Sequence, residues 1–351
     1  MTCEQTLIEQ LQTATADATP LAIQGGGSKA FYGRICEGQP CQVGDHSGVI
    51  DYTPAELVIS ARAGTPLAEL EAVLAKEGQM LAFEPPHFGT TATLGGTIAC
   101  GLSGPRRPYA GAARDFVLGV NCINGKGELL RLGGQVMKNV AGYDLSRLLT
   151  GSLGTLAVLL EVHLKVLPRP EVEATLQQTC SADEAVLRCS HWAGQPLPLS
   201  GACHSDGQLY LRLSGSAQGV AAAAATIGGD SCDDGPGFWQ ALREQQLPFF
   251  QDDTPLWRLS VPPAAAGIDI EGQQLLDWGG AQRWLKSQAP DVQIRDALTA
   301  TGGHATLYRN GDRSGAVFQP LPPGMLALQR RLKQSFDPAG ILNPGRLYAE
   351  L

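Results

Sequence analysis

Hydrophobic and polar positions along the chain fall into periods that change several times. Leu7, Ile8 and Leu11 recur at helical spacing within Glu4–Ala14, which predicts a short helix. The apolar trio Leu21-Ala22-Ile23 then reads as a strand that runs into Gln24-Gly25-Gly26-Gly27-Ser28-Lys29. Val49–Tyr52 and Leu57–Ser60 are short strands around Thr53-Pro54. A well-marked helix follows: Thr65 as cap, Pro66 in the first turn, Leu67, Leu70 and Leu74 on one face, Gly78 as stop. Met80–Phe83 predicts a returning strand. Phe116–Ile123 and Glu128–Leu132 flank Asn124-Gly125-Lys126-Gly127, a hairpin signature. From Leu156 to Leu167 the alternation is clean. Val158, Leu160, Val162, Leu164 and Val166 face one way and Glu161, His163 and Lys165 the other, so a half-buried strand with a solvated His163 is expected.

Pro168-Arg169-Pro170 breaks the pattern. Residues 171–320 have a different texture, with an alanine run at Ala221–Ala225, an acidic loop at Asp230–Asp234 and short strands such as Leu209–Leu213. Trp239, Trp257, Trp278 and Trp284 are expected in its core, and His204 and His304 carry no metal spacing. Periodicity returns near the end. Met325, Leu328, Leu332 and Phe336 form one helical face, Asp337-Pro338 stops it, and the apolar tail Ile341–Tyr348 is expected to dock. The expected division is 1–168, 169–322, and a C-terminal helix and tail at 323–351.

One stretch fits none of these periods. Thr93–Asp115 holds five glycines between Gly95 and Gly111. Glycine loses too much backbone entropy for the whole run to form a core helix or strand. Small residues do let a backbone pass close to something that is not protein, with N–H groups turned toward an anion. Gly25-Gly26-Gly27-Ser28-Lys29 offers the same chemistry upstream. Either cluster alone reads as a surface loop. Two of them, separated by alternating strand and helix, point to a long, doubly charged ligand such as a dinucleotide. The spacing is not the G-x-G-x-x-G of a Rossmann turn, so another fold must hold it.

Composition narrows the class. The 351 residues suit two domains, and 43% hydrophobic with 17% charged residues describe a packed globular protein. A net charge of −8 argues against nucleic acid or an anionic membrane as partner. No apolar run approaches the ~20 residues that span a bilayer, and the first residues lack signal-peptide character, so a cytoplasmic protein is expected. Nine cysteines, none in C-x-x-C spacing, are expected as free thiols, with no metal or cluster site.

Four ordered motifs together resemble a known family. Gly25–Ser28, Thr93-Leu94-Gly95-Gly96, Gly151-Ser152-Leu153-Gly154-Thr155-Leu156 and Phe336–Gly345 are similar to the vanillyl-alcohol-oxidase/p-cresol-methylhydroxylase type of FAD-binding flavoprotein. Arg106–Asp115 and Lys138–Leu145 look like the FAD-binding subunits of bacterial glycolate oxidases within it. The resemblance implies an α+β, two-lobed FAD domain with a reduced α+β cap at residues 169–322. It implies that Gly25, Gly26, Gly27, Ser28 and Lys29 cradle the pyrophosphate. Thr93, Leu94, Gly95, Gly96, Gly101, Ser103 and Gly104 would line the ADP and flavin, with Arg107, Tyr109, Arg114 and Asp115 further along that run. Gly154 and Val158 would flank the adenine side, and Asn343 would lie near the isoalloxazine.

Two departures refine the implication. Ser28 stands where many relatives carry the histidine that attaches FAD, so the flavin is expected to be noncovalent. The paired-histidine metal motif of related 2-hydroxyacid dehydrogenases is missing, since Gly302-Gly303-His304-Ala305 has a single histidine. The resemblance therefore implies a glycolate oxidase component that works beside a second FAD-binding subunit and an iron–sulfur subunit, meeting a membrane only through them. The alternatives are a self-sufficient dehydrogenase of a small 2-hydroxyacid, using Lys138, Arg107 or Tyr143, and a scaffold whose flavin only stabilises assembly.

Overall fold

The structure, a computed structural model, describes residues 2–134 and 143–351, with the side chain of Tyr143 excepted. Helices and sheets are mixed, as an α+β chain requires, and the strands segregate into two principal sheets. The first has five antiparallel strands in the order Val49–Thr53, Val58–Arg62, Ala157–Lys165, Val117–Asn124, Leu129–Gly133. The second has eight, all from Val172 to Arg309. A small parallel pair, Leu21–Gln24 with Gln39–Gln42, sits beside the first sheet's core.

The hairpin at Asn124–Gly127 forms as its sequence demands: the Asn124 side chain accepts from the Lys126 and Glu128 backbone N–H groups. The N-terminal helix, Cys3–Ala16, buries Leu7, Leu11 and Ala14 against the same core as the first sheet. In Leu67–Lys76 the stripe Leu67, Leu70 and Leu74 is fully buried, and Gly78 takes a left-handed φ of 65° just beyond it.

Several expectations need correction. Thr65 does not cap that helix. Its hydroxyl is spent on the Gly48 N–H and C=O, and the Leu67 N–H is satisfied by the Ala92 carbonyl instead. Met80–Phe83 is not a strand: only Gln79 and Met80 pair, with Leu167 and Pro168, while Leu81, Ala82 and Phe83 enter the core unpaired. His163 is buried rather than solvated, its Nδ1 2.8 Å from the Ser60 hydroxyl. The strand Ala157–Lys165 is central and covered on both faces, so alternation there marks two buried sides. The glycine-rich stretch does contain a helix, Leu94–Cys100, capped by the Thr93 hydroxyl. It needs glycine because a Cβ on Gly95 would come within 2.7 Å of the Ala63 Cβ.

The C-terminal helix, Pro323–Phe336, uses only half of its apolar face. Leu332 and Phe336 pack on the main core, whereas Met325 and Leu328 are 46% and 50% exposed. The tail behind it docks as expected: Leu342 pairs parallel with Leu21, through Leu21 N–H to Ile341 O and Asn343 N–H to Leu21 O. Trp239, Trp257 and Trp284 are buried, but Trp278 is only half-buried, its indole N–H donating to the Gly104 carbonyl. An aromatic cluster joins the two sheet bodies. Tyr32, Leu102 and Leu153 from one side meet Trp239, Trp284 and Tyr308 from the other.

Candidate functional site

The two glycine-rich segments meet. The strand Leu21–Gln24 delivers Gly25–Lys29 against the segment that precedes the helix Leu94–Cys100. A Cβ on Gly26 would lie 1.4 Å from the Thr91 carbonyl oxygen, and one on Gly25 would lie 2.5 Å from Thr93 Oγ1. Gly27 takes φ 72°, the left-handed region, and faces open space. Between the segments runs an open cleft of about 190 Å³. A deeper space of about 70 Å³ shares Ile23, Gly25, Thr93, Gly96, Leu153 and Asn343 with it and continues to Gly95 and Gly154.

The charge in this cleft is cationic and, among the described residues, makes no ion pair. Lys29 is buried and lines it, with Nζ 3.3 Å from the His87 carbonyl and 3.4 Å from the Ser28 hydroxyl. Among the described residues no carboxylate pairs with it, and burial lowers its pKa. The nearest candidate, Glu244, is occupied by the His87 and Phe88 N–H groups and by Arg243. A desolvated ammonium held only by neutral oxygens is costly unless an anion joins it. Together with backbone too close for any Cβ, this fits the pyrophosphate of FAD.

The tail completes the wall. The Asn343 amide donates to Leu153 O at 2.6 Å and accepts from Ile23 N–H at 2.7 Å, so it stitches three segments together beside the cleft. Arg346 donates to the carbonyls of Ala30, Tyr32 and Arg34, fixing the loop behind Lys29. Next to Lys29, Arg309 lies over the rings of Phe31 and Phe88, at 3.9 and 4.6 Å, and Arg258 donates to the Tyr32 hydroxyl.

The residues singled out in the sequence are thus partly brought together. Gly25, Gly26, Gly27, Ser28, Lys29, Thr93, Gly95, Gly96, Gly154 and Asn343 line the cleft or its deeper extension. Leu94 and Val158 lie wholly in the core, and Gly101 ends the helix with φ 63°. Ser103 and Gly104 line a separate small cavity with Phe88, Arg258 and Tyr308. Arg107 stacks on Trp278 at 4.4 Å, Tyr109 is 37% exposed, and Arg114 and Asp115 are exposed, so these four line neither part of the cleft. Lys138 lies outside the described residues, and Tyr143 opens the helix Tyr143–Leu149.

Sequence reasoning missed Arg346, Leu153 and the aromatic–arginine cluster. Arg346 follows the Asn343-Pro344-Gly345 run and could have been taken with it. Tyr308 and Arg309 sit in an ordinary strand, His304–Arg309, with no signal of their own.

The family described as FAD binding domain matches residues 1–133, and that of FAD linked oxidases, C-terminal domain, matches residues 317–347. The glycolate oxidase subunit GlcE of Escherichia coli (strain K12) is 52% identical over 99% of this chain and 98% of its own length. The glycolate oxidase subunit GlcD of Bacillus subtilis (strain 168) is 39% identical over 30% of this chain and 23% of its own. Among solved structures, an alkyldihydroxyacetonephosphate synthase superposes with a TM-score of 0.68 over 97% of this chain and 74% of its own, at 14% identity, a likeness of fold alone. The chain therefore belongs to the family of the glycolate oxidase subunit GlcE, among FAD-linked oxidases of the vanillyl-alcohol-oxidase/p-cresol-methylhydroxylase type.

Proposed function

We propose that this chain is the FAD-binding subunit of a glycolate oxidase complex and holds its flavin without a covalent bond. The observation that carries the reading is the buried Lys29, without an ion pair among the described residues, at a backbone cradle in a chain related to GlcE along almost its whole length. In this reading Gly25–Lys29 and Thr93–Gly96 bind the pyrophosphate, and the space toward Gly154 takes one end of the dinucleotide. Residues 169–322 form the cap, and 323–351 return to close the wall. Bound FAD supplies two-electron redox chemistry, matched to the two electrons and two protons released when glycolate becomes glyoxylate.

The chain's own residues bind and orient the flavin and exclude water around it. Lys29 offsets phosphate charge, Asn343 and Arg346 hold the backbone that shapes the cleft, and Ser28 offers no ring nitrogen for attachment. No paired histidines stand near the cleft among the described residues: the His87 ring is tied to Glu71, the His204 ring to the Cys180 carbonyl, and His304 is exposed. This supports hydroxyacid oxidation at a second FAD-binding subunit, with an iron–sulfur subunit as the electron exit. Among the described residues no helix is long and apolar enough to cross a membrane, and we place any membrane contact on those partners.

The test is purification of the chain alone and in its complex. The lone chain should be yellow, release all FAD on acid precipitation, and fail to reduce a dye with glycolate or D-lactate. Activity should appear on assembly. Turnover by the lone chain close to that of the complex would instead make it a self-sufficient dehydrogenase. Full activity of a complex whose copy of this chain has lost FAD would make it a scaffold.

A further inference from the structure

The sequence shows no metal spacing, yet folding gathers three metal-ligating groups that the flavin site does not use. We propose that Glu4, His46 and Glu161 form a binding site for a divalent transition-metal cation. They come from three elements: Glu4 from the first turn of the helix Cys3–Ala16, His46 from the turn after Gln39–Gln42, and Glu161 from the central strand Ala157–Lys165. One ligand atom from each lies within 4.8 Å of the other two.

His46 gives the second, independent observation. Its side chain is 6% exposed, and Nε2 is buried without any hydrogen-bond partner. A buried ring nitrogen with no partner carries a desolvation cost that a cation would remove. The ring reaches neither carboxylate directly, so a direct ion pair does not account for the cluster. A tetrahedral ion with bonds of about 2.0–2.2 Å spaces its ligands by about 3.3–3.6 Å, so closure needs roughly 1–1.5 Å, within the range of two glutamate side chains. The Asn121 amide donates to Glu161 Oε2, which holds that carboxylate in place. Arg62, across the strands from Glu161, donates to the Ser47 carbonyl. Two carboxylates therefore exceed the local guanidinium charge.

The backbone around His46 is set in advance. Its N–H donates to Val43 O at 3.1 Å, and its carbonyl accepts from Gly64 N–H at 2.8 Å. One imidazole with two carboxylates suits zinc, manganese or cobalt better than calcium or magnesium. The cation would clasp the N-terminal helix to the sheet. It would also hold the turn whose Val43 donates to Gln24 O and lines the deeper part of the cleft.

The test uses the full-length, FAD-loaded chain after treatment with a chelator. Titration with Zn²⁺ should show one saturable equivalent and a rise in Tm. Co²⁺ should give weak visible bands without thiolate charge transfer. Glu4→Gln, a half-exposed position that should not disturb folding, and His46→Gln should each lower Zn²⁺ affinity at least about tenfold and remove the Tm rise. Absence of a saturable equivalent, equal affinity in Glu4→Gln, or a thiolate band in the cobalt spectrum would overturn the site. The last result would assign the cation to the cysteines.

Discussion

At Gly26 a single methyl group decides whether two backbones can meet. With the Thr91 oxygen 1.4 Å from where a Cβ would stand, Gly26→Ala must force the two glycine segments apart. We expect the purified variant to lose at least about a hundredfold in FAD affinity, roughly 2.7 kcal/mol, with a folded cap by circular dichroism. Gly27→Ala meets no atom within 4 Å and should cost only the left-handed strain of about 1–2 kcal/mol. Equal flavin-to-protein absorbance ratios in the two variants would contradict this placement. Another residue effect is proton-linked. Burial pushes the Asp277 carboxyl from near 3.8 to about 7, only partly countered by the Trp278 N–H and Arg212 and reinforced by Glu84. Between those values the folded chain keeps a proton that the unfolded chain gives up, so Asp277 makes stability fall as pH rises through the window. Asp277→Asn should flatten that fall in thermal unfolding and be the more stable form near pH 8, by on the order of a few kcal/mol. The glycines were legible because only one residue type tolerates such contact. Asp277 was not, because its burial depends on strands that pack around it from elsewhere.

Elements were legible where one face met one partner. The stripe of Leu67, Leu70 and Leu74 and the hairpin at Asn124–Gly127 needed nothing beyond local periodicity and turn chemistry. His163 was misread because a period of two reports which side chains share a face, not what covers it. The C-terminal helix shows the same limit: Met325 and Leu328 continue the apolar stripe past the end of the core. Its other end is fixed by a buried ion pair. Lys333 Nζ donates to Asp337 Oδ2, Thr155 O and Leu342 O, while Asp337 accepts from the Ile341 and Leu342 N–H groups. Lys333→Met would strand a fully buried carboxylate, and we expect a loss of about 3–5 kcal/mol in denaturant unfolding. A loss within the ~0–1 kcal/mol of a surface pair would show that the helix end is not so held.

At the scale of the molecule, the change of texture after Pro168 was readable, whereas the strand order of the eight-stranded sheet was not. That order arises from pairings such as His204 with Leu276, which no local pattern announces. Nor was the junction between the sheet bodies. Glu84, itself at φ 47°, binds Arg106 and Arg212, and Arg106 also binds Glu173. The parallel bridge between Leu21 and Leu342 has a consequence in time. The segment entering the glycine cradle takes its neighbour from residues synthesised after all the strands from Val172 to Arg309, which form one uninterrupted stretch. During translation that stretch can fold on the ribosome while the cradle waits, unfinished, for Leu342 to emerge. Flavin capture should therefore follow the folding of the eight-stranded sheet. A chain ending at Asp337 should emerge with a native-like cap but no bound FAD, and a nascent chain still tethered past Leu351 by a long linker should bind it; equal flavin binding by the truncated chain would show that the cradle closes without its final strand.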